Sequence, residues 1–177
     1  MITRIFKFWK NLDKINVFLD IDNTLAIFSH GKEDDSRAVK ESLSKGFYLS
    51  LKPMPHLWAY KLLSKFVNVY VVSAYPNTPY AAIEKRLWVD LHMPFINQSD
   101  ILLVPVGGNK AEAVETRLGR KIDRFCYLVD DYGKNLTDWT EKGGTAIKKS
   151  ANTKKKRNIP VIYNHYDIFK VLYKSTI

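Results

Sequence analysis

Two pairs of carboxylates sit where an apolar chain has least reason to keep them. In VFLDIDNTLAIF, residues 17 to 28, Asp20 and Asp22 stand one residue apart at the end of an apolar run, and in RFCYLVDD, residues 124 to 131, Asp130 and Asp131 close another. Neighbouring carboxylates at the rim of a core lose hydration and repel each other, so each raises the cost of ionising the next. A hard cation relieves that cost. Mg²⁺ takes a few carboxylate oxygens, keeps several waters and bridges to phosphate. At i and i+2, Asp20 and Asp22 point to one face if the strand continues, and converge on a shared ligand if it ends. Asp130 and Asp131 can complete the same acidic cluster from a neighbouring strand end.

The elements that must position these groups are legible in the apolar pattern. Short, nearly continuous apolar runs at 15–21, 67–74, 100–106, 124–131 and 144–149 read as strands buried on both faces of a parallel sheet. Helical spacing lies between them. After Pro55, Leu57, Trp58, Leu62, Leu63 and Phe66 mark one helix, and Ala82, Ile83, Leu87 and Leu91 mark the next. Asn109 is placed to cap a third helix that Gly119 stops, and YGKNLTDWTEKGG and YDIFKVLYK supply two more. Strands alternating with helices predict an α/β fold, a doubly wound, mainly parallel sheet flanked by helices, with ligands beyond the carboxyl ends of the strands. A length of 177 residues, 46% of them hydrophobic, predicts a single domain over 1–177. Residues 25–53 break the alternation with one short polar helix and then an extended, aromatic stretch. They read as a small cap insertion over the strand ends.

With these residues in order, DIDNT resembles the DxDxT signature of the haloacid dehalogenase superfamily. Ser73 at the end of VYVVSA matches the second motif, Lys110 the third, and LVDD the fourth. GFYLSLKPMPH, EKRLWVDLH and LVDDYGKNLTDW followed by GGTAI narrow the resemblance to the cytosolic 5′(3′)-deoxyribonucleotidase branch, over roughly residues 15–150. The resemblance implies a Mg²⁺-dependent phosphatase in which Asp20 attacks phosphorus and Asp22 serves as acid and then base. It implies that Asp20, the Asp22 backbone carbonyl and Asp130 hold the metal, that Asp131 orients its waters, and that Ser73 and Lys110 hold phosphate oxygens. Lys85 in EKRLWVD also matches a family lysine, and a solvated helix face accounts for it equally.

The resemblance implies a (deoxy)nucleoside monophosphate as substrate, with Phe47 and Tyr48 either against the base or in the core of the lid. The short stretch between Thr24 and Gly46 predicts a thinner lid than the branch usually has. Dehalogenation of carbon needs neither the second acid nor the metal, and phosphotransfer among sugars calls for a larger mobile cap that keeps water out.

A formal net charge of +10 favours anionic partners. Six of the basic residues crowd into KKSANTKKKR, 148–157, which reads as a solvated loop. The alternatives it leaves open are a phosphatase of nucleic-acid ends and a catalytically silent nucleotide- or nucleic-acid-binding module. No motif acid is missing, as silence would require. The absence of a long apolar segment or a signal-like start predicts no membrane span, and the lone Cys126 in an apolar run suits a reducing, cytoplasmic setting. The aromatic cluster Ile5, Phe6, Phe8 and Trp9 is expected to pack internally; an exposed patch of that kind would favour dimerisation, and the oligomeric state is left open.

Overall fold

A computed structural model describes residues 10–29, 32–150 and 159–176; the N-terminal aromatic cluster and most of the basic loop lie outside them. The apolar runs become β1 (Asn16–Leu19), β2 (Asn68–Tyr75), β3 (Ile101–Pro105), β4 (Cys126–Asp130) and β5 (Thr145–Lys149). A further strand, β6 (Val161–Ile162), is too short for periodicity to reveal. All six form one parallel sheet in the order β3-β2-β1-β4-β5-β6. Lys148 and Lys149 thus belong to β5 rather than to the loop, and Lys149 is buried, donating to the Tyr163 carbonyl at 2.9 Å.

Helices α1 (Lys32–Glu41) and α2 (Phe47–Ser50) precede α3 (Trp58–Leu63) between β1 and β2. Helix α4 (Ala81–His92) joins β2 to β3, α5 (Lys110–Leu118) joins β3 to β4, α6 (Gly133–Glu141) joins β4 to β5, and α7 (Asp167–Thr176) follows β6. Strand alternation divides the core. Val17 and Leu19 of β1 share a cluster with Tyr60 of α3, Trp88 of α4 and Ile168 of α7, whereas Phe18 packs with Val114 of α5 and Trp139 of α6. Asn109 caps α5 as its sequence suggests, accepting from the Ala111 and Glu112 backbone N–H groups, and Gly119 ends it at φ 65°.

Two helices turn a different face inward from the one their apolar spacing suggests. On α4, Ile83, Leu87 and Leu91 are exposed, while Glu84, Lys85 and Trp88 are buried. Around α3, Trp58, Leu62 and Phe66 are exposed, and Leu57, Tyr60 and Leu63 go inward. Periodicity identifies a helix, but the neighbours decide its phase. Within the insertion, the stretch expected to be extended coils into the single turn α2, started by Gly46 at φ 89°. The two ends of the insertion are clasped: Ile27 donates to the Lys52 carbonyl at 2.9 Å and Met54 to the Leu25 carbonyl at 2.7 Å.

Candidate active site

β1 lies between β2 and β4, where the chain's direction of travel across the sheet reverses, the place an open α/β sheet offers a ligand. Leu19 is in register with Val129, so Asp20, one residue beyond β1, stands beside Asp130 at the tip of β4. The chain then turns tightly, with Thr24, Leu25 and Ala26 all donating to the Ile21 carbonyl. Asn23 takes the left-handed conformation this turn requires, at φ 53°, and its side-chain oxygen accepts from the Phe28 and Ser29 N–H groups. The DIDNT sequence is thus a strand end and a turn that hold two carboxylates over one sheet edge.

Asp20, Asp130 and Asp131 each bring a carboxylate oxygen within 4.8 Å of the others. Lys110, buried at the start of α5, donates to Asp20 at 2.7 Å and to Asp130 at 2.8 Å. Burial lowers the Lys110 pKa, but the two carboxylates outweigh it and hold the ammonium charged. Asp130 is fixed further by the Tyr132 N–H at 2.7 Å and by the Asn135 amide at 2.9 Å. Burial, and then Asp20, raise its pKa despite Lys110. Asp131 is raised to about 7 by burial and by the charges of Asp20 and Asp130.

Asp22 occupies a different environment. Its Oδ2 accepts from Lys85 at 2.6 Å, while its Oδ1 is buried with no partner among the described residues. Burial raises its pKa, Lys85 opposes this, and Asp20 adds to it; the net shift is upward. Lys85, fully buried, also donates to the Ser73 hydroxyl at 3.1 Å and the Ala74 carbonyl at 2.6 Å. Ser73 is buried beneath Lys85, two residues short of the end of β2, rather than closing that strand.

The donors are all hard oxygens, and the four carboxylates outnumber the two buried ammonium groups that bond to them. That composition fits Mg²⁺, with Asp20, Asp130 and Asp131 as the carboxylates able to hold it. Lys85 engages Oδ2 of Asp22, and the Asp22 carboxylate is not among the three whose oxygens converge; the metal role expected of this residue is that of its backbone carbonyl.

Tyr48 is not on the surface where a base could stack. It is 2% exposed, with its ring centroid 4.6 Å from the Lys85 ammonium and edge to face with Phe47. Phe47 is half-buried, packed on Phe28. Beside the cluster, a cleft of about 330 Å³ opens between the beginnings of α5 and α6, lined by Gly108, Asn109, Lys110, Tyr132 and Asn135 among others.

Two of these groups are weakly marked in the sequence. Lys85 matches a family lysine but suits a solvated helix face equally, and Asn135 carries no signal beyond its place in the first turn of α6, five residues after Asp130. Among the described residues no helix is long and apolar enough to cross a membrane.

No family model matches the chain. A protein of Vibrio phage KVP40 named "Putative 5'(3')-deoxyribonucleotidase" is 30% identical to it over 134 residues, covering 71% of each chain. Among solved structures, a haloacid dehalogenase-like hydrolase from Xanthomonas campestris superposes with a TM-score of 0.64 at 8% identity, over 92% of this chain and 97% of that one. A phosphatase of the same superfamily from Thermococcus onnurineus gives 0.61 at 15% identity, over 89% and 97%. A D,D-heptose 1,7-bisphosphate phosphatase from B. bronchiseptica, solved with magnesium and phosphate, gives 0.51 at 11% identity, over 90% and 98%. These structures share the fold, and the phage relative shares the sequence over 134 residues. Fold, motif order and relative agree: the chain belongs to the haloacid dehalogenase superfamily of hydrolases, within its 5′(3′)-deoxyribonucleotidase family.

Proposed function

We propose that this protein is a Mg²⁺-dependent phosphomonoesterase acting on nucleoside monophosphates, with deoxynucleotides preferred. The observation that carries the reading is the contrast between two carboxylates two residues apart. Asp20 is bound to a charged lysine within the acidic cluster, whereas Asp22 stands against Lys85 with its pKa raised and one oxygen unpartnered. Environments that push apart the properties of neighbouring carboxylates divide them into nucleophile and acid.

In this reading an Asp20 oxygen attacks phosphorus in line, and the ester oxygen leaves with its bond electrons, taking a proton from Asp22. The product is an aspartyl-phosphate and a free nucleoside. Asp22, now ionised, takes a proton from water as that water attacks phosphorus, and the bond to Asp20 breaks to regenerate the carboxylate and release phosphate. Lys110 orients Asp20 and offsets the negative charge that gathers on the equatorial phosphoryl oxygens. Asn135 and the Tyr132 N–H keep Asp130 in place beside it, and Lys85 holds Asp22 at its working angle. Asp20, Asp130 and Asp131 would hold Mg²⁺, which would supply the charge neutralisation that lets one anion approach another.

Residues 25–53 act as a small cap on a single hydrolase domain. Phe47, half-buried against Phe28, is the cap aromatic left to meet a base. The designation of the phage relative supports the nucleotide assignment. Phosphate release from ribo- and deoxynucleoside monophosphates, and from 3′- and 5′-phosphorylated oligonucleotides, is the test, with Mg²⁺ present and Asp20→Asn as the blank. Turnover of mononucleotides at least 1,000-fold above the blank is expected. Turnover of oligonucleotides alone would replace the substrate class, and no turnover would remove the phosphatase reading.

A further inference from the structure

The face of α4 that turns inward does not pack on the sheet alone; it grips the cap segment. Tyr80, Glu84 and Trp88, spaced one helical turn apart, each bond to that segment. The Tyr80 hydroxyl donates to the Leu43 carbonyl, and the Trp88 indole donates to the Leu51 carbonyl at 2.8 Å. Between them the Glu84 carboxylate accepts from the Gly46 N–H at 2.5 Å and, through its other oxygen, from the Tyr48 N–H at 3.1 Å. Glu84 is 4% exposed and forms no ion pair among the described residues. A buried carboxylate without a cation is costly, and here its compensation comes from backbone N–H groups at the start of α2. That turn is four residues long and has no side-chain cap of its own. Glu84 provides one from another element.

The next residue on the same helix is Lys85, which holds Asp22 and lies under the ring of Tyr48. One turn of α4 therefore touches both the cap turn that carries Phe47 and the carboxylate read above as the acid. We propose that Glu84 is a positioning residue for substrate selectivity: it fixes the α2 turn, and so Phe47, at a set distance from Asp22, so that a nucleoside is gripped in register with the bond to be cleaved. This rests on the proposed function above. The residue touches no reacting atom. Its effect is expected in recognition of the nucleoside and not in cleavage of the ester.

Glu84→Gln tests it, because the amide keeps the size of the side chain but turns an N–H₂ group toward a backbone N–H. Steady-state kinetics on the four deoxynucleoside 5′-monophosphates and on p-nitrophenyl phosphate, which has no base or sugar, separate the two roles. Expected is a KM about 10-fold higher for the nucleotides, with kcat within about twofold and p-nitrophenyl phosphate kinetics unchanged within about twofold, consistent with loss of charge-assisted hydrogen bonds that act on binding alone. Amide exchange on the same variant should show Gly46 and Tyr48 exchanging at least 10-fold faster, with the sheet unchanged. An equal loss on all substrates, or none on any, overturns the proposal. If the wild-type protein cleaves neither kind of ester, the phosphatase reading has failed, and exchange decides the clamp by itself: unchanged protection at Gly46 and Tyr48 overturns it, and selective loss there sustains it.

Discussion

An ammonium group with no exposed surface must find its compensation in fixed neighbours, and Lys85 finds the Asp22 carboxylate, the Ser73 hydroxyl and the Ala74 carbonyl. Its charge is also the largest influence lowering the pKa of Asp22. Lys85→Met keeps the length of the side chain and removes the charge, leaving Asp22, half-buried, beside Asp20. The Asp22 pKa then rises further. Because the second half of the reaction needs Asp22 ionised as a base, the acidic limb of the kcat profile should move to higher pH, and kcat should fall by about 100-fold at pH 7. A kcat profile from pH 5 to 9, with circular dichroism to check folding, measures both; an unmoved limb would separate Lys85 from Asp22. The sequence exposes such a lysine poorly. Asp20, Asp22, Asp130 and Asp131 stand out because acids at the ends of apolar runs need an explanation, whereas a lysine on a helix needs none until its surroundings are known.

The helices show the same division between what a local pattern carries and what a neighbour decides. The cap of α5 was readable because Asn109 satisfies donors two and three residues away, a purely local matter. The phase of α4 was not. Its apolar stripe of Ile83, Leu87 and Leu91 is exposed, and two of the inward positions, Glu84 and Lys85, are polar because they meet the cap segment and Asp22. The turn of α2 was missed for the same reason, since its stabilising carboxylate comes from Glu84, far along the chain. A local constraint of the opposite kind sits at the end of α6. A Cβ on Gly144 would lie 2.2 Å from the indole nitrogen of Trp139, a buried ring fixed by its bond to the Cys126 carbonyl. Gly144→Ala must displace that ring or the strand after it, at a cost of about 2–3 kcal/mol. Urea denaturation should show the midpoint falling with little change in slope, and a variant as stable as the parent would contradict the packing described.

At the scale of the molecule, the parallel sheet flanked by helices and the acids at the carboxyl ends of its strands followed from alternating apolar runs, whereas the strand order, and with it the reversal point, depends on contacts no local pattern carries; β6 was too brief to be counted. The acidic cluster also links the whole fold to pH. Asp131 has a folded-state pKa of about 7 against an ordinary carboxylate value of 3.8, so in the metal-free protein its contribution to stability is fully present below the unfolded value and is lost as pH rises through about 7. Mg²⁺ binds the ionised form, and protons compete with it. The rise in Tm on adding Mg²⁺ should therefore be larger at pH 8 than at pH 5.5, by several degrees in thermal melts, and a rise independent of pH would place the ion elsewhere.

The clasp at the mouth of the cap segment bears on how such proteins diverge. Because Ile27 bonds to Lys52 and Met54 to Leu25, the two ends of the segment are registered with each other before anything beyond them is specified. Doubling the length of the enclosed chain changes the entropy of closing it by only about 0.6 kcal/mol. A lineage can therefore lengthen, trim or exchange what lies past the clasp while the nucleophile-bearing strand is inherited unaltered. The stripe of α4 at Tyr80, Glu84 and Trp88 and the core contacts of Tyr48 and Leu51 must change along with it, and new substrates become accessible through drift in a segment that contributes no strand to the sheet.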